Sequence, residues 1–137
     1  MATLFTRILN GEIPGRFVYR DDRCGAFLSI HPLAPGHTLV VPLQEVDHWL
    51  DADPDLMSHL LEVCRKIGQA QQKAFAPAKV GLMIAGLEVP HLHLHVVPVN
   101  SEKNLEFSQA DTQPDPADLD RAAEKLRQAL QELPTRR

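Results

Sequence analysis

Hydrophobic residues recur at helical spacing in two long stretches of the chain and in one short stretch. The clearest helix begins at residues 53–54, because aspartate followed by proline is a common helix start. Its apolar face continues to about Phe75. The same start signal at residues 115–116 predicts a final amphipathic helix. Its apolar positions are Leu119, Ala123, Leu126, Leu130 and Leu133. A short helix is predicted over residues 3–9.

Between these helices, short apolar runs bounded by turn residues predict β-strands. Residues 17–20 and 24–28 predict a hairpin. Residues 38–41 form a continuous apolar run, typical of a buried strand, and residues 80–85 predict another. Residues 99–115 are mostly polar and predict a loop. The order of helix, strands, long helix, strands and closing helix favours an α+β fold with a mainly antiparallel sheet.

Residues 91–98, HLHLHVVP, carry a histidine at every second position at the start of the run. Period-two alternation stopped by proline predicts a strand, whose successive side chains point to opposite faces. His91, His93 and His95 are therefore expected to share one face. The opposite face carries Leu92, Leu94 and Val96. Because the aliphatic face belongs in the core, the histidine face must meet solvent, a cleft or a ligand.

Three interpretations of the histidine face are open. The first is a solvated strand face, and the second is a metal site. The third is a site of covalent catalysis at phosphorus, with one imidazole as the nucleophile. A solvated face normally carries Thr, Lys, Glu and Ser, and nearby only Glu88 is ligand-like. The glycine turn at Gly86 can present backbone N–H groups to phosphate oxygens. With imidazolium donors it would stabilise an anionic transition state, which favours the phosphorus interpretation.

Composition narrows the class of protein. The chain has 137 residues, 44% of them hydrophobic and 23% charged, which is ordinary for one globular domain. A formal charge of −4 argues against binding to a nucleic-acid polymer or an anionic membrane. Cys24 and Cys64 show no CxxC spacing, so no disulfide framework is indicated. No signal-peptide pattern or membrane-length apolar run is present, so a cytoplasmic location is expected.

Three segments together resemble the histidine triad (HIT) family, in particular its Hint-like branch of nucleotide-binding hydrolases. They are LFTRILNGEIPGRFVYRDDRCGAF (residues 4–27), PLAPGHTLVVP (residues 32–42) and HLHLHVVP (residues 91–98). The resemblance implies a HIT-like α+β fold with a long central helix and a C-terminal helix. We expect a single domain over residues 1–137, with a core at about residues 4–98 and a C-terminal loop and helix over residues 99–137.

The resemblance also implies roles for the three histidines. His93 would attack the α-phosphorus and form a nucleotidyl-histidine intermediate. His95 would donate to phosphate oxygens, and His91 would hold the network that orients His93. No cofactor is needed for this chemistry, because neutral imidazole is itself a nucleophile.

A second group of residues is predicted to bind the nucleotide. These candidates are Phe5, Ile8, Phe27, Ser29, Ile30, His37, Gly86 and Glu88. The four apolar members match family positions that line the nucleobase and ribose pocket, and His37 resembles a histidine beside the active site. The implied ligand is a purine mononucleotide, and the implied assembly is a homodimer whose sheet continues across both protomers.

Several positions depart from the family pattern. Ser29 stands where this branch usually carries an aspartate that binds ribose hydroxyls, and Glu88 stands where a serine or threonine usually contacts phosphate. The phosphate-contacting asparagine has no counterpart, Ala85 being nearest. Thr3 and Thr6 occupy the positions of a zinc-binding CxxC in some relatives, so no metal site is expected there.

The predicted function is hydrolysis of nucleoside phosphoramidates or related mononucleotide derivatives through the covalent histidine intermediate. One alternative is a non-catalytic or very slow nucleotide-binding adaptor protein. A second alternative is a metalloenzyme that holds its metal through the three histidines.

Overall fold

The computed structural model describes residues 2–134, which form three α-helices and one five-stranded antiparallel sheet. The helices are α1 (Leu4–Leu9), α2 (Pro54–Phe75) and α3 (Pro116–Gln131). The strands are β1 (Phe17–Arg20), β2 (Cys24–Leu28), β3 (Thr38–Pro42), β4 (Lys79–Ile84) and β5 (Leu94–Val99). The spatial order is β1-β2-β3-β5-β4, so β1 and β4 are the edge strands. The predicted α+β fold is confirmed.

The two long helices begin where aspartate and proline predicted. The side chain of Asp53 accepts from the N–H of Asp55, and that of Asp115 accepts from the N–H of Ala117. Both caps satisfy a backbone donor that the first helical turn leaves unpaired. The final helix stops at Gln131, so the predicted apolar position Leu133 lies just beyond it.

The two faces of the sheet carry different neighbours. On one face, α2 buries its apolar stripe against alternate residues of the central strands. This core contains Ala26, Val40, Leu56, Leu60, Val63, Ile67, Leu92, Leu94 and Val96. On the other face, α1 packs against Phe27, Leu39 and Val41 through Phe5 and Leu9. Because side chains alternate along β5, its one histidine, His95, lies on the α1 face beside Leu39.

The predicted histidine strand is wrong at both ends. Strand β5 begins at Leu94, so His91 and His93 precede it, and the strand continues through Pro98. The backbone of this segment bonds to loops instead of to the sheet: the N–H of His91 donates to Val89, and the N–H of Leu92 donates to Val46. Even so, the predicted alternation holds, since the two leucines of the motif lie in the α2 core.

The C-terminal third differs in detail from the prediction. The predicted loop at residues 99–115 contains two short 3-10 turns, Glu102–Leu105 and Phe107–Gln109. Helix α3 then packs on α2 and on β1. Within residues 2–134 there is no helix long and apolar enough to cross a membrane.

Candidate active site

A cavity of about 670 Å³ opens on the α1 face of the sheet. Its lining residues come from α1, the start of β1, the end of β2, the histidine segment and the C-terminal third. They are Leu4, Phe5, Ile8, Pro14, Gly15, Arg16, Phe27, Leu28, Ser29, Ile30, His31, Leu39, Glu88, Val89, His93, His95, Phe107, Ala110, Thr112 and Asp120. Its size is in the range of small-molecule sites in proteins.

Most of the predicted site residues lie on this cavity. Those that line it are Phe5, Ile8, Phe27, Ser29, Ile30, Glu88, His93 and His95. His91 and His37 lie behind the lining, bonded to other parts of the site. Gly86, with a φ of 78°, belongs to the turn before the histidines and is not among the lining residues. Its contact with a phosphate therefore stays a prediction.

His93 is held in one tautomer by the backbone. Its Nδ1 lies 2.7 Å from the carbonyl oxygen of His91. A carbonyl can only accept, so Nδ1 carries the proton, and the neutral ring keeps its lone pair on Nε2. Burial is the main cause that lowers the pKa of His93, so the ring is neutral at pH 7. The charge of Glu88 acts in the opposite direction on this pKa.

His95 is held in the opposite tautomer, through His37. The N–H of Leu33 donates to His37 Nδ1 at 3.0 Å, so neutral His37 carries its proton on Nε2. That nitrogen lies 2.9 Å from His95 Nδ1, which must therefore accept. The neutral His95 ring then has its proton on Nε2. No residue among 2–134 accepts from this N–H, so it is available to a ligand in the cavity.

The two rings of this second system are neutral because they are buried. His37 is 2% exposed and His95 is 8% exposed. Burial lowers the pKa of His37 to about 3 and that of His95 to about 4, and the charged form of a neighbouring histidine adds to both effects. The predicted imidazolium donor is therefore wrong for the ligand-free protein. The donor is a neutral imidazole N–H.

His91 faces away from the cavity and is fully buried. Its Nε2 lies 2.8 Å from the carbonyl oxygen of Pro42, and its Nδ1 lies 2.6 Å from the hydroxyl of Thr3. The carbonyl requires a proton on Nε2, so in the neutral ring Nδ1 accepts from Thr3. Both nitrogens of His91 are thus used within the protein.

Aromatic rings complete the walls around the histidines. The edge of Phe5 contacts the His93 ring, with centroids 4.8 Å apart, and also packs on Phe27 at 5.7 Å. Phe107, from the C-terminal third, packs against His95 at 5.1 Å and is half exposed. The sequence prediction assigned no function to this segment, although one aromatic residue in a polar loop was a signal for it.

Charged groups at the cavity are mostly acidic. Arg16 donates to Asp120 of α3 at 2.7 Å, which neutralises the cavity's one arginine. Glu88 lines the cavity and forms no ion pair with residues 2–134. Neither Arg16 nor Asp120 was predicted, because 104 positions of sequence separate them.

The metal-binding potential of the described residues lies elsewhere. Within residues 2–134, one group of His, Cys and Asp side chains has its ligand atoms within 4.8 Å of one another: Asp21, Cys24 and His59. The Asp21 carboxylate already accepts from Tyr19, from His59 and from two backbone N–H groups of its turn. Burial raises the pKa of Cys24 to about 12, which opposes the thiolate form that binds metal. This cluster closes the β1–β2 hairpin.

Comparisons with known proteins identify the family of this chain. The family model described as the HIT domain matches residues 10–102. An uncharacterized HIT-like protein of Borreliella burgdorferi is 39% identical over 102 residues, covering 69% of this chain and 73% of that protein. The asymmetrical bis(5'-nucleosyl)-tetraphosphatase of Schizosaccharomyces pombe is 34% identical over 98 residues, covering 68% of this chain and 52% of that enzyme.

A solved structure extends the likeness to the fold. The histidine triad nucleotide-binding protein of Sulfolobus tokodaii, described as hypothetical, superposes with a TM-score of 0.80 and 26% identity, covering 93% of this chain and 91% of that one. The family model spans well over half of the chain, and the fold and the histidine motif agree with it. The chain belongs to the HIT family, whose members include nucleotide-binding proteins and hydrolases.

Proposed function

We propose that this protein hydrolyses nucleoside phosphoramidates or related mononucleotide derivatives through a nucleotidyl-His93 intermediate. The observation that carries the proposal is the bond from His93 Nδ1 to the His91 carbonyl. That bond leaves a neutral Nε2, with its lone pair, on a ring that lines the cavity. An imidazole in this state is competent to attack phosphorus without a metal or a separate base.

The reaction then proceeds in two displacements. Attack by His93 Nε2 forms a nitrogen–phosphorus bond to the imidazole and breaks the bond from phosphorus to the leaving amine. The amine departs with that electron pair and takes up a proton from solvent. Water next attacks the phosphorus and gives a proton back to solvent. The bond from phosphorus to Nε2 breaks, and its electron pair returns to the ring, which releases the nucleoside monophosphate and restores neutral His93. Splitting one hard displacement into two is the usual advantage of covalent catalysis.

His95 supplies the complementary hydrogen bond. Its Nε2–H is available at the cavity, because its Nδ1 is occupied by the proton of His37. A donor placed where negative charge develops on phosphate oxygens stabilises the transition state more than the ground state. The rings of His93 and His95 are 4.9 Å apart, so one phosphate can contact both.

The apolar half of the cavity suits a nucleoside. Phe5, Ile8, Phe27 and Leu39 form one continuous apolar cluster behind it. Flat apolar walls bind a nucleobase by stacking and by exclusion of water. We place the base on this side, with Ser29 near the ribose as a neutral hydrogen-bonding partner.

The charge of the cavity favours a leaving amine over a polyphosphate. Arg16 is paired with Asp120, and Glu88 adds a negative charge without a partner among residues 2–134. With His93 and His95 neutral, the described lining of the cavity has no unpaired lysine or arginine to hold additional phosphates.

The three-histidine metalloenzyme is disfavoured by geometry. The ring nitrogens of His91 are both bonded within the protein, and His93 and His95 each use Nδ1 for an internal bond. A three-histidine catalytic site needs one free nitrogen from each ring, aimed at a common point. Only two of the three rings can offer one.

The proposal is tested by trapping the intermediate. The wild-type protein is mixed with adenosine 5'-phosphoramidate, quenched in milliseconds to seconds and examined by intact-mass spectrometry. We expect a mass increase of one adenylyl group, located at His93 by peptide mapping. A parallel panel compares phosphoramidates, dinucleoside polyphosphates and nucleotide sugars. Tight nucleotide binding with neither adduct nor turnover would establish the adaptor alternative instead.

We also propose a homodimer in the cytoplasm. Strand β4 is an edge, and beside it a groove of about 420 Å³ between α2 and β4 is bordered by the half-exposed Leu61 and Leu82. An unpaired edge with apolar neighbours suits a two-fold interface. Light scattering after size exclusion should give twice the 15.3 kDa of one chain. A mass of one chain at micromolar concentration would rule the dimer out.

A further inference from the structure

We infer that Glu45, which lies outside the cavity, is a positioning residue that holds the nucleophile His93 in place through Thr3 and His91. The inference rests on the proposed function for its catalytic consequence. Its structural basis is a continuous chain of hydrogen bonds that begins at an exposed carboxylate and ends at the His93 ring.

The first link fixes the start of α1. One carboxylate oxygen of Glu45 accepts from the backbone N–H of Thr3 at 2.8 Å and from the hydroxyl of Thr6 at 2.6 Å. These bonds lower the pKa of Glu45, the backbone bond being the largest cause, so the group is a carboxylate at neutral pH. A carboxylate acceptor makes stronger hydrogen bonds than a neutral one.

The second link carries this constraint to His91. With its N–H held by Glu45, Thr3 places its hydroxyl 2.6 Å from His91 Nδ1. The opposite nitrogen of His91 donates to the carbonyl of Pro42 in β3 at 2.8 Å. The ring is therefore clamped between the N-terminus of α1 and the central sheet.

The third link reaches the nucleophile. The carbonyl of the clamped His91 accepts from His93 Nδ1 at 2.7 Å, and this bond selects the tautomer with the lone pair on Nε2. Residues 91 and 93 lie before β5, so the sheet does not hold their backbone. The same peptide unit is also held at its N–H, where Leu92 donates to the carbonyl of Val46 at 2.7 Å. The side-chain clamp on His91 and this backbone bond together set the orientation of the carbonyl.

A purely structural role for Glu45 predicts a different outcome. Helix α1 also carries Phe5 and Ile8, which line the cavity. If Glu45 only anchored α1, its loss would loosen this apolar wall and raise KM for the nucleotide. If Glu45 positions His93, its loss lowers kcat and mixes the tautomers of the His93 ring.

The test compares Glu45→Ala and Thr3→Val with Thr3→Ser and Asp47→Ala. Thr3→Ser keeps the hydroxyl, and Asp47→Ala removes an exposed carboxylate two residues away that has no side-chain hydrogen bond within residues 2–134. In the ligand-free proteins, ¹⁵N NMR of the histidine rings should show the Nδ1–H tautomer of His93 in wild type and in both controls. Glu45→Ala and Thr3→Val should show a mixture.

Kinetics supply the second readout. Adduct formation and kcat should fall about threefold to tenfold in Glu45→Ala and Thr3→Val, the factor expected for one lost hydrogen bond, with KM changed less than twofold. If wild type turns over phosphoramidates but Glu45→Ala matches Asp47→Ala in both readouts, this inference is wrong and the proposed function stands. If wild type is inactive, the proposed function fails, and the NMR comparison still decides whether Glu45 positions His93.

Discussion

His93 and His95 are two residues apart, both line the cavity, and their rings are 4.9 Å from each other. Their surroundings nevertheless give them opposite chemistry. His93 Nδ1 meets a carbonyl oxygen and must donate, whereas His95 Nδ1 meets the Nε2–H of His37 and must accept. One ring therefore presents a lone pair to the ligand, and the other presents a proton.

The difference shows that the partner on the buried side of each imidazole decides its role on the exposed side. Both rings have a lowered pKa because they are buried, so charge does not distinguish them.

Removal of the lone pair should abolish the reaction. In His93→Ala, turnover and the nucleotidyl adduct should both become undetectable, because the proposed covalent bond forms at the lone pair of His93. Binding of nucleoside monophosphate, measured by calorimetry, should survive within about tenfold, since the apolar wall supplies most of the affinity. Retained turnover in His93→Ala together with an inactive His91→Ala would mean that the roles of these histidines are misassigned.

Acid should destabilise the fold through the second ring system. The folded pKa values of His37 and His95, about 3 and about 4, lie below the ordinary value of 6.5. The unfolded chain therefore binds protons that the native state cannot, and stability falls as pH drops below 6.5. At pH 4.5 the loss is about 3 kcal/mol for each ring, at 1.36 kcal/mol per pH unit.

Urea unfolding at pH 7 and at pH 4.5 measures this loss, and the variant His37→Gln separates the two rings. Glutamine does not titrate, so the part of the loss that belongs to His37 should disappear in this variant. A wild-type stability that is the same at both pH values would contradict the assigned neutral states.

Removal of the donated proton should slow the reaction without stopping it. His95→Ala should lose about 10²-fold to 10³-fold in kcat, as expected for one hydrogen bond to a developing negative charge. His37→Ala leaves His95 in place but no longer fixes its tautomer, so a smaller loss of about tenfold is expected. Rapid-quench measurement of adduct formation gives both numbers. Equal losses in His95→Ala and His93→Ala would show that His95 does more than donate.

The smallest effect concerns the charge beside the two rings. Glu88→Ser should accelerate hydrolysis of a phosphoramidate with an uncharged leaving group. Glu88 is exposed to solvent, so at a separation of about 6 Å the relief of repulsion corresponds to a factor of about three. The factor should shrink when the leaving amine carries a cationic side group, because Glu88 then attracts it.

A slower Glu88→Ser variant would overturn the interpretation of Glu88 as a source of repulsion. The carboxylate would then be a working group, such as an acid for the leaving amine. The matched comparison is Asp120→Asn, whose carboxylate also lines the cavity but is paired with Arg16.

The scaffold was predictable because its signals are local. Aspartate and proline set the starts of α2 and α3 within a few residues of sequence, and apolar runs marked the β1–β2 hairpin and β3 within one residue. The start of β5, by contrast, is set by a contact with a distant part of the chain. Val46, from a loop, binds the N–H of Leu92 and takes the place of a strand partner, which no alternation pattern reveals.

The site was predictable in part, for the same reason. Alternation placed His93 and His95 on one face, and the family resemblance pointed to the apolar wall. What the sequence could not show was the identity of each imidazole's partner, since Thr3 and His91 are 88 positions apart and His37 and His95 are 58. Without those partners the tautomers, and the neutral state of His95, could not be inferred.

The atoms that set the two tautomers belong to the main chain. The carbonyl of residue 91 fixes the proton of His93, and the N–H of residue 33 starts the relay that ends at His95. Every non-proline residue has both groups, so a mutation at position 33 or 91 leaves the determinant in place as long as the backbone keeps its path. The backbone path of the fold therefore sets which ring presents a lone pair and which presents a proton. A descendant could exchange much of its pocket for another substrate and still keep one ring as nucleophile and the other as donor.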